Sequence, residues 1–370
     1  MKLAPRVVVV SAVAALAALF AMPAASAAKT STVKIALTDD GCPKTVKTVA
    51  GPNTFKVKNE DASAVSEFEI LSGDRILGEK ENLTPGLSGE FSLTLKAGEY
   101  TTYCPGGDRE KGTLIVTGTA ATKLSPAGET AVETYRTYVE DQATQLVAAT
   151  KTFTDAVSRG DVVGAKAAYA AARIPYERIE PVAETFGDLD PRIDAREGDV
   201  PMKDWSGFHP IEQALFVNNT TTGMAPVAAQ LQKDVEQLQG LIADTQFEPA
   251  TIANGAVELL NEVSASKITG EEERYSRTDL VDFLANVEGS QAAFNAVKPI
   301  LVVKNAALAS QIDARFADVY ATLANYGSGA TFVAYTDLTK TDTKKLSQSI
   351  DTLAEPLSKV AKKIVSAQGQ

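Results

Sequence analysis

The chain has 370 residues, 44% of them hydrophobic and 22% charged, which is too apolar for a disordered chain and long enough for two cores. Its formal charge is −11, and −13 once Lys2 and Arg6 of the leader are set aside. That balance excludes polyanions as natural partners, nucleic acid among them, and favours cations.

Residues 1–27 read as a secretory signal peptide. Lys2 and Arg6 precede an uncharged apolar run at 7–20, and Ala25-Ser26-Ala27 supplies the small-x-small cleavage pattern. No cysteine stands at the cleavage point, which argues against a lipid anchor. No comparable apolar run follows, so the mature chain is expected to have no membrane span and to work in the periplasm or another extracytoplasmic space.

Residues 31–118 alternate in short segments, VKIAL, FKVKN, EFEIL, FSLTL, YTTYC and TLIV. Turn pairs such as Gly51-Pro52, Gly73-Asp74 and Pro85-Gly86 separate them. Strands of this length and spacing predict a small antiparallel β-sandwich. The segment resembles a cupredoxin in its residues 98–104, GEYTTYC, followed by the last strand at 112–116, GTLIV. A type-1 copper centre is not expected, because that chemistry needs two imidazoles and a thiolate, and this stretch has neither histidine nor methionine. Glu67 stands where the resemblance places the first histidine.

Both cysteines, Cys42 and Cys104, fall in this segment, and three readings of them stay open. They form a disulfide, worth about 4 kcal/mol by loop closure in an oxidising compartment. Or Cys42, Cys104, Glu67 and a nearby acid such as Asp108 make an atypical metal site, with copper or zinc as alternatives to iron. Or they are two inert thiols.

Residues 119–128 read as a linker, and 129–370 change texture. Val132, Tyr135, Val139, Ala143, Leu146 and Ala149 advance by three or four, and Gly160 ends that helix. Further helices are predicted at 161–185, 210–218, 224–244, 250–267, 279–296, 300–325 and 343–367, with no strand signal. The expected fold class is therefore multi-domain β plus all-α, a cupredoxin-like sandwich followed by an antiparallel helical bundle.

The stretch 169–216 carries the chemistry. Glu177, Glu180 and Glu184 recur at helical spacing, Asp190, Asp194 and Glu197 follow, and the single histidine, His209, precedes Glu212 by three. Pro175 and Pro181 should bend the first helix, and Pro210 places His209 at the opening of the next. An imidazole and carboxylates suit iron, zinc or manganese. The expected metal ligands are His209 and Glu212 with Glu177 and Glu180, and Asp190 in support. The bland alternative is a solvated acidic face neutralised by Arg173 and Arg178. No zinc-protease HExxH, no G-x-S-x-G elbow, no Walker loop and no dinucleotide fingerprint occurs.

The phrases RIPYERIEPVAETFGDLDPRIDARE, SGFHPIEQALF and KITGEEERYSRTDLVDFLANVEGSQAAF resemble the imelysin family. With a cupredoxin-like segment ahead of them, the whole resembles the EfeO-type periplasmic components of bacterial iron uptake. That resemblance implies an extracytoplasmic binding protein, not an enzyme, that captures Fe(II) or Fe(III). It would work with a membrane iron permease and an exported haem peroxidase. Its G-x-H-x-x-E motif falls on Gly207, His209 and Glu212. Pro210 and Arg277 depart from the family pattern, which has a basic residue and a histidine there. A metallopeptidase built on His209 and Glu212 is the alternative the resemblance carries.

Overall fold

The structure is a computed structural model that describes residues 30–119, 124–187, 189–265 and 267–368. The expected signal peptide at 1–27 and residues 120–123 of the expected linker lie outside the described residues.

Eight strands come first: β1 (Ser31–Leu37), β2 (Thr45–Val49), β3 (Gly51–Asn59), β4 (Phe68–Ser72), β5 (Arg75–Lys80), β6 (Ser88–Leu95), β7 (Gly98–Tyr103) and β8 (Lys111–Thr117). They form two sheets, ordered β1-β3-β6 and β2-β8-β7-β4-β5. Val33, Ile35 and Leu37 alternate inward along β1 and meet Phe55, Phe68 and Phe91 in one core, where the Phe55 and Phe91 rings stack at 5.2 Å. The sandwich is not wholly antiparallel. β1 runs parallel to β3, and β2 parallel to β8, because the chain crosses between sheets before pairing.

Cys42 and Cys104 are joined by a disulfide. Neither keeps a thiolate for a metal, so the four-residue site expected with Glu67 and Asp108 is replaced by a covalent staple. Glu67 lies instead with Glu79 and Glu81, their carboxylate oxygens within 4.8 Å of one another, while Asp108 is exposed.

The second region is helical: α1 (Pro126–Ser158), α2 (Val162–Glu177), α3 (Glu180–Ala183), α4 (Leu189–Asp194), α5 (Phe208–Phe216), α6 (Ala225–Ala243), α7 (Pro249–Ala265), α8 (Asp279–Leu323), α9 (Lys340–Leu357) and α10 (Val360–Gln368). Ser125 caps α1 through the Gly128 amide, with Pro126 in the first turn. The two helices expected at 279–296 and 300–325 are two arms of α8. Its break falls at Asn305, not at Pro299, since Asn305 leaves helical backbone angles and its Oδ1 accepts from the Leu308 amide to start the second arm. A two-residue hairpin, β9 (Gly327–Ser328) with β10 (Thr331–Phe332), is the strand element the periodicity did not show.

The two regions touch along α7 and α10. Asn254 donates to the Ser92 carbonyl at 2.8 Å, Lys80 pairs with Glu258 at 2.8 Å, and Lys362 with Glu90 at 2.7 Å.

Candidate metal centre

Two prolines and a glycine shape the site. Pro175 lies in the last turn of α2, which stops at Glu177, and Pro181 sits in the first turn of α3, so the chain bends between Glu177 and Glu180. Gly207 caps α5 at φ 87°, and a Cβ there would collide with the Ile193 carbonyl. This close approach brings Asp194, at the end of α4, to His209, on the first turn of α5.

His209 is buried. Its Nδ1 lies 3.0 Å from Glu212 Oε2, while Nε2 has no hydrogen-bond partner and its nearest carboxylate is Asp194 at 3.5 Å. Burial acts to lower the imidazole pKa, but Asp194 and Glu212 outweigh it and raise it to about 10. Asp194 is held well below the usual carboxylate range against its burial, first by Arg173 and then by His209. Asp194, His209 and Glu272 bring ligand atoms within 4.8 Å of one another.

Glu212 accepts the Tyr275 amide at 2.9 Å and the Ser276 amide at 2.7 Å through Oε1, and faces the His209 ring through Oε2. Its carboxylate is thereby committed to orienting the imidazole, in the manner of the outer partner that fixes a ligating histidine. Glu177 is likewise taken. It pairs with Arg173, lies 3.1 Å from Lys267 and accepts from Asn286 at 2.9 Å. The expected ligand role of Glu177 therefore gives way to that of an internal counter-ion.

Arg173 is wholly buried and serves as a hub. It pairs with Glu177, Asp194 and Glu273, with Asp282 at 3.2 Å and Glu272 at 3.4 Å, and its guanidinium lies over the Phe208 ring at 5.4 Å. Lys267 grips Glu180 at 2.6 Å and 2.7 Å. Arg173, Lys267 and the protonated His209 thus face more carboxylates than they can neutralise. The consequence is visible in the pKa values, where burial, reinforced by neighbouring acids, pushes Asp190 and Glu272 up to about 7 and Glu273 up to about 8. Glu180 and Glu184 are also raised well above their usual range.

The surplus lines a cavity of about 180 Å³, walled by Glu180, Glu184, Asp190, Asp194, Glu262 and Glu272. Asp190 also accepts from the Tyr176 hydroxyl. Of the residues singled out in sequence, Glu180, Glu184, Asp190 and Asp194 reach this cavity, His209 stands behind Asp194, and Glu177 and Glu212 lie outside its wall. Glu272 and Lys267 were missed as site residues, although KITGEEERYS sets a lysine beside three acids. Nothing local showed that this phrase folds against α2. Arg277, where the resemblance implied a histidine, takes a φ of 64° and reaches the Gly270 carbonyl at 3.4 Å.

A β-sandwich stapled by a disulfide, ahead of an irregular helical bundle with a carboxylate-walled cavity, defines the class of protein by its architecture, a cupredoxin-like region followed by an imelysin-like one. The chain belongs to the imelysin family: the imelysin model, whose name also carries the word peptidase, matches residues 131–360, and a cupredoxin-like domain model matches residues 10–116. Proteins named iron uptake system component EfeO, from Escherichia coli (strain K12) and from Shigella flexneri, are 44% identical to it over 348 residues, covering 91% of this chain and 92% of theirs. The relative of the same name from Escherichia coli O157:H7 matches to the same extent.

Proposed function

We propose that the bundle cavity captures iron, Fe(II) or Fe(III), as cargo in an exported protein of a bacterial uptake system, and passes it toward a membrane permease. The observation that carries this reading is the buried Nε2 of His209, without a hydrogen bond, set against Asp194 and Glu272 at the edge of a cavity with surplus carboxylates. With the ring's pKa raised to about 10, Nε2 carries a proton beside the Asp194 carboxylate without a well-formed hydrogen bond, and an incoming cation would displace that proton and take its place. Asp194, His209 and Glu272 would hold the ion, with Glu180 and Asp190 within the same cavity. One imidazole with carboxylates suits Fe(II), Mn(II) or Zn(II) and lacks the thiolate that copper(I) favours.

The names of the relatives, iron uptake system component, support iron as the cargo; a membrane permease and an exported haem peroxidase as partners are what the family resemblance implies. The signal segment supports an extracytoplasmic location. Anaerobic calorimetric titration with Fe(II) tests the site. Glu272→Gln is expected to weaken binding by about tenfold or more, and unchanged affinity would remove Glu272 from the site. The peptidase reading separates from this one by incubating metal-loaded protein with casein. Cleavage that Glu212→Ala abolishes would replace binding with catalysis.

A further inference from the structure

The cavity wall holds a cation that differs from the buried Arg173 and Lys267 behind it. Arg173 and Lys267 are sealed, with side-chain exposures of 0% and 1%, whereas Arg196 is 25% exposed and lines the cavity itself. Among the described residues lining it, Arg196 is the one with a positive charge. Its Nη1 lies 3.3 Å from Glu272, a member of the trio, and its Nε donates at 3.0 Å to Asp199. Asp199 is also part of the cavity wall, at its more open side, 45% exposed.

The segment that carries Arg196 joins the other two members of the trio. Asp194 ends α4, His209 opens α5, and the chain between them turns at Arg196 to Asp199, closed by the Asp199 amide on the Arg196 carbonyl at 3.2 Å and by a bridge from Glu197 to Val200. Gly198 at φ 104° permits that turn. Farther out, residues 201–204 are exposed, with Met202 at 64%.

We propose that Arg196 is the displaceable counter-ion of this cavity: it holds Glu272 until a cargo cation claims that carboxylate, then swings onto Asp199 alone. This rests on the iron-binding reading of the same cavity. A cation beside Glu272 repels the guanidinium and removes its partner. Arg173 cannot answer by leaving, being enclosed by five carboxylates. Arg196 can, because it keeps Asp199 as it releases Glu272. Arg196 therefore sets the affinity of the site through competition, and its release loosens the exposed turn at 196–204. With many carboxylates against one guanidinium, the matching cargo is a bare cation, not an anionic chelate.

The test is anaerobic titration with Fe(II) of the full mature chain and of Arg196→Gln and Arg196→Lys, with amide hydrogen exchange over 196–204. Arg196→Gln is expected to bind Fe(II) about fivefold more tightly or better, and Arg196→Lys, which keeps the charge, to stay within about twofold. Loading the unmodified protein should speed exchange at 196–204, and the same amides should exchange fast in Arg196→Gln with or without iron. If the unmodified protein takes up no Fe(II), the reading of the cavity is overturned. If it does, and Arg196→Gln keeps its helical content yet binds equally or more weakly, only the role of Arg196 is overturned. Should Arg196→Gln fail to fold, loading-independent exchange at 196–204 in the unmodified protein overturns it.

Discussion

His209 is the one imidazole in the chain, and its two nitrogens have different tasks. Nδ1 faces Glu212, which is fixed by two backbone amides, while Nε2 points to the unsatisfied side. His209→Ala is therefore expected to lower Fe(II) affinity about tenfold or more, about 1.4 kcal/mol, with the circular dichroism spectrum unchanged. An unchanged titration would take the ring out of the site. That His209 opens a helix with Glu212 at its side was readable from the sequence; the place of Arg173 was not. In sequence Arg173 is an ordinary helix partner four residues before Glu177, and only the fold shows that Glu272, Glu273 and Asp282 arrive from about a hundred positions away. Arg173→Met should cost about 3 kcal/mol or more in urea unfolding of the metal-free protein, because it strands buried carboxylates. A loss below about 1 kcal/mol would mean those acids protonate at little cost.

At the scale of elements, the prolines were expected to bend one helix at 161–185, and the chain instead breaks there: α2 closes at Glu177, two residues after Pro175, and α3 opens at Glu180, just before Pro181. What they could not tell is which helices meet. Glycines hold that information only after folding, as at Gly289 of α8, where a Cβ would collide with the Arg178 carbonyl just past the end of α2. This contact lets Asn286, one turn earlier, reach the Glu177 carbonyl at 3.0 Å and Glu180 at 3.0 Å. Gly289→Ala should push α8 off the bend and destabilise the protein by about 1–3 kcal/mol by overpacking, measured by chemical denaturation. It should also weaken iron binding, since Glu180 would lose an anchor. Stability unchanged within error would show that the helices separate freely there. The break at Asn305 was equally illegible, because Pro299 offered a stronger local signal six residues earlier.

For the whole molecule, the sandwich and bundle were legible from period and turn residues, but the acidic seam between them was not. Glu67 stands just before β4, Glu79 and Glu81 at the end of β5, and Glu258 and Glu262 on α7, so no local pattern joins all five. Burial and then the charge of Glu67 push Glu69 up to about 9 and Glu81 up to about 8, with Glu258 and Glu262 also raising Glu81. Groups whose folded pKa is raised bind protons more tightly in the native state. Their contribution is present in full below the unfolded value near 4.5 and is lost as pH rises through 8 and 9. Asp190, Glu272, Glu273 and His209 shift in the same sense. Asp194 and Glu212 shift oppositely, but their loss falls at acid pH, below the ordinary carboxylate range. Between pH 5.5 and 9 every resolved carboxylate shift in the seam and cavity therefore either lowers stability with rising pH or is already complete. The metal-free protein should lose about 4 °C or more in calorimetric midpoint across that interval, and Glu69→Gln with Glu81→Gln should flatten the slope. Saturating Fe(II) should restore the midpoint at the alkaline end, since a bound cation replaces the missing protons. A midpoint that rises with pH would mean that the acids face water, and the surplus of negative charge on which the binding site depends would not exist.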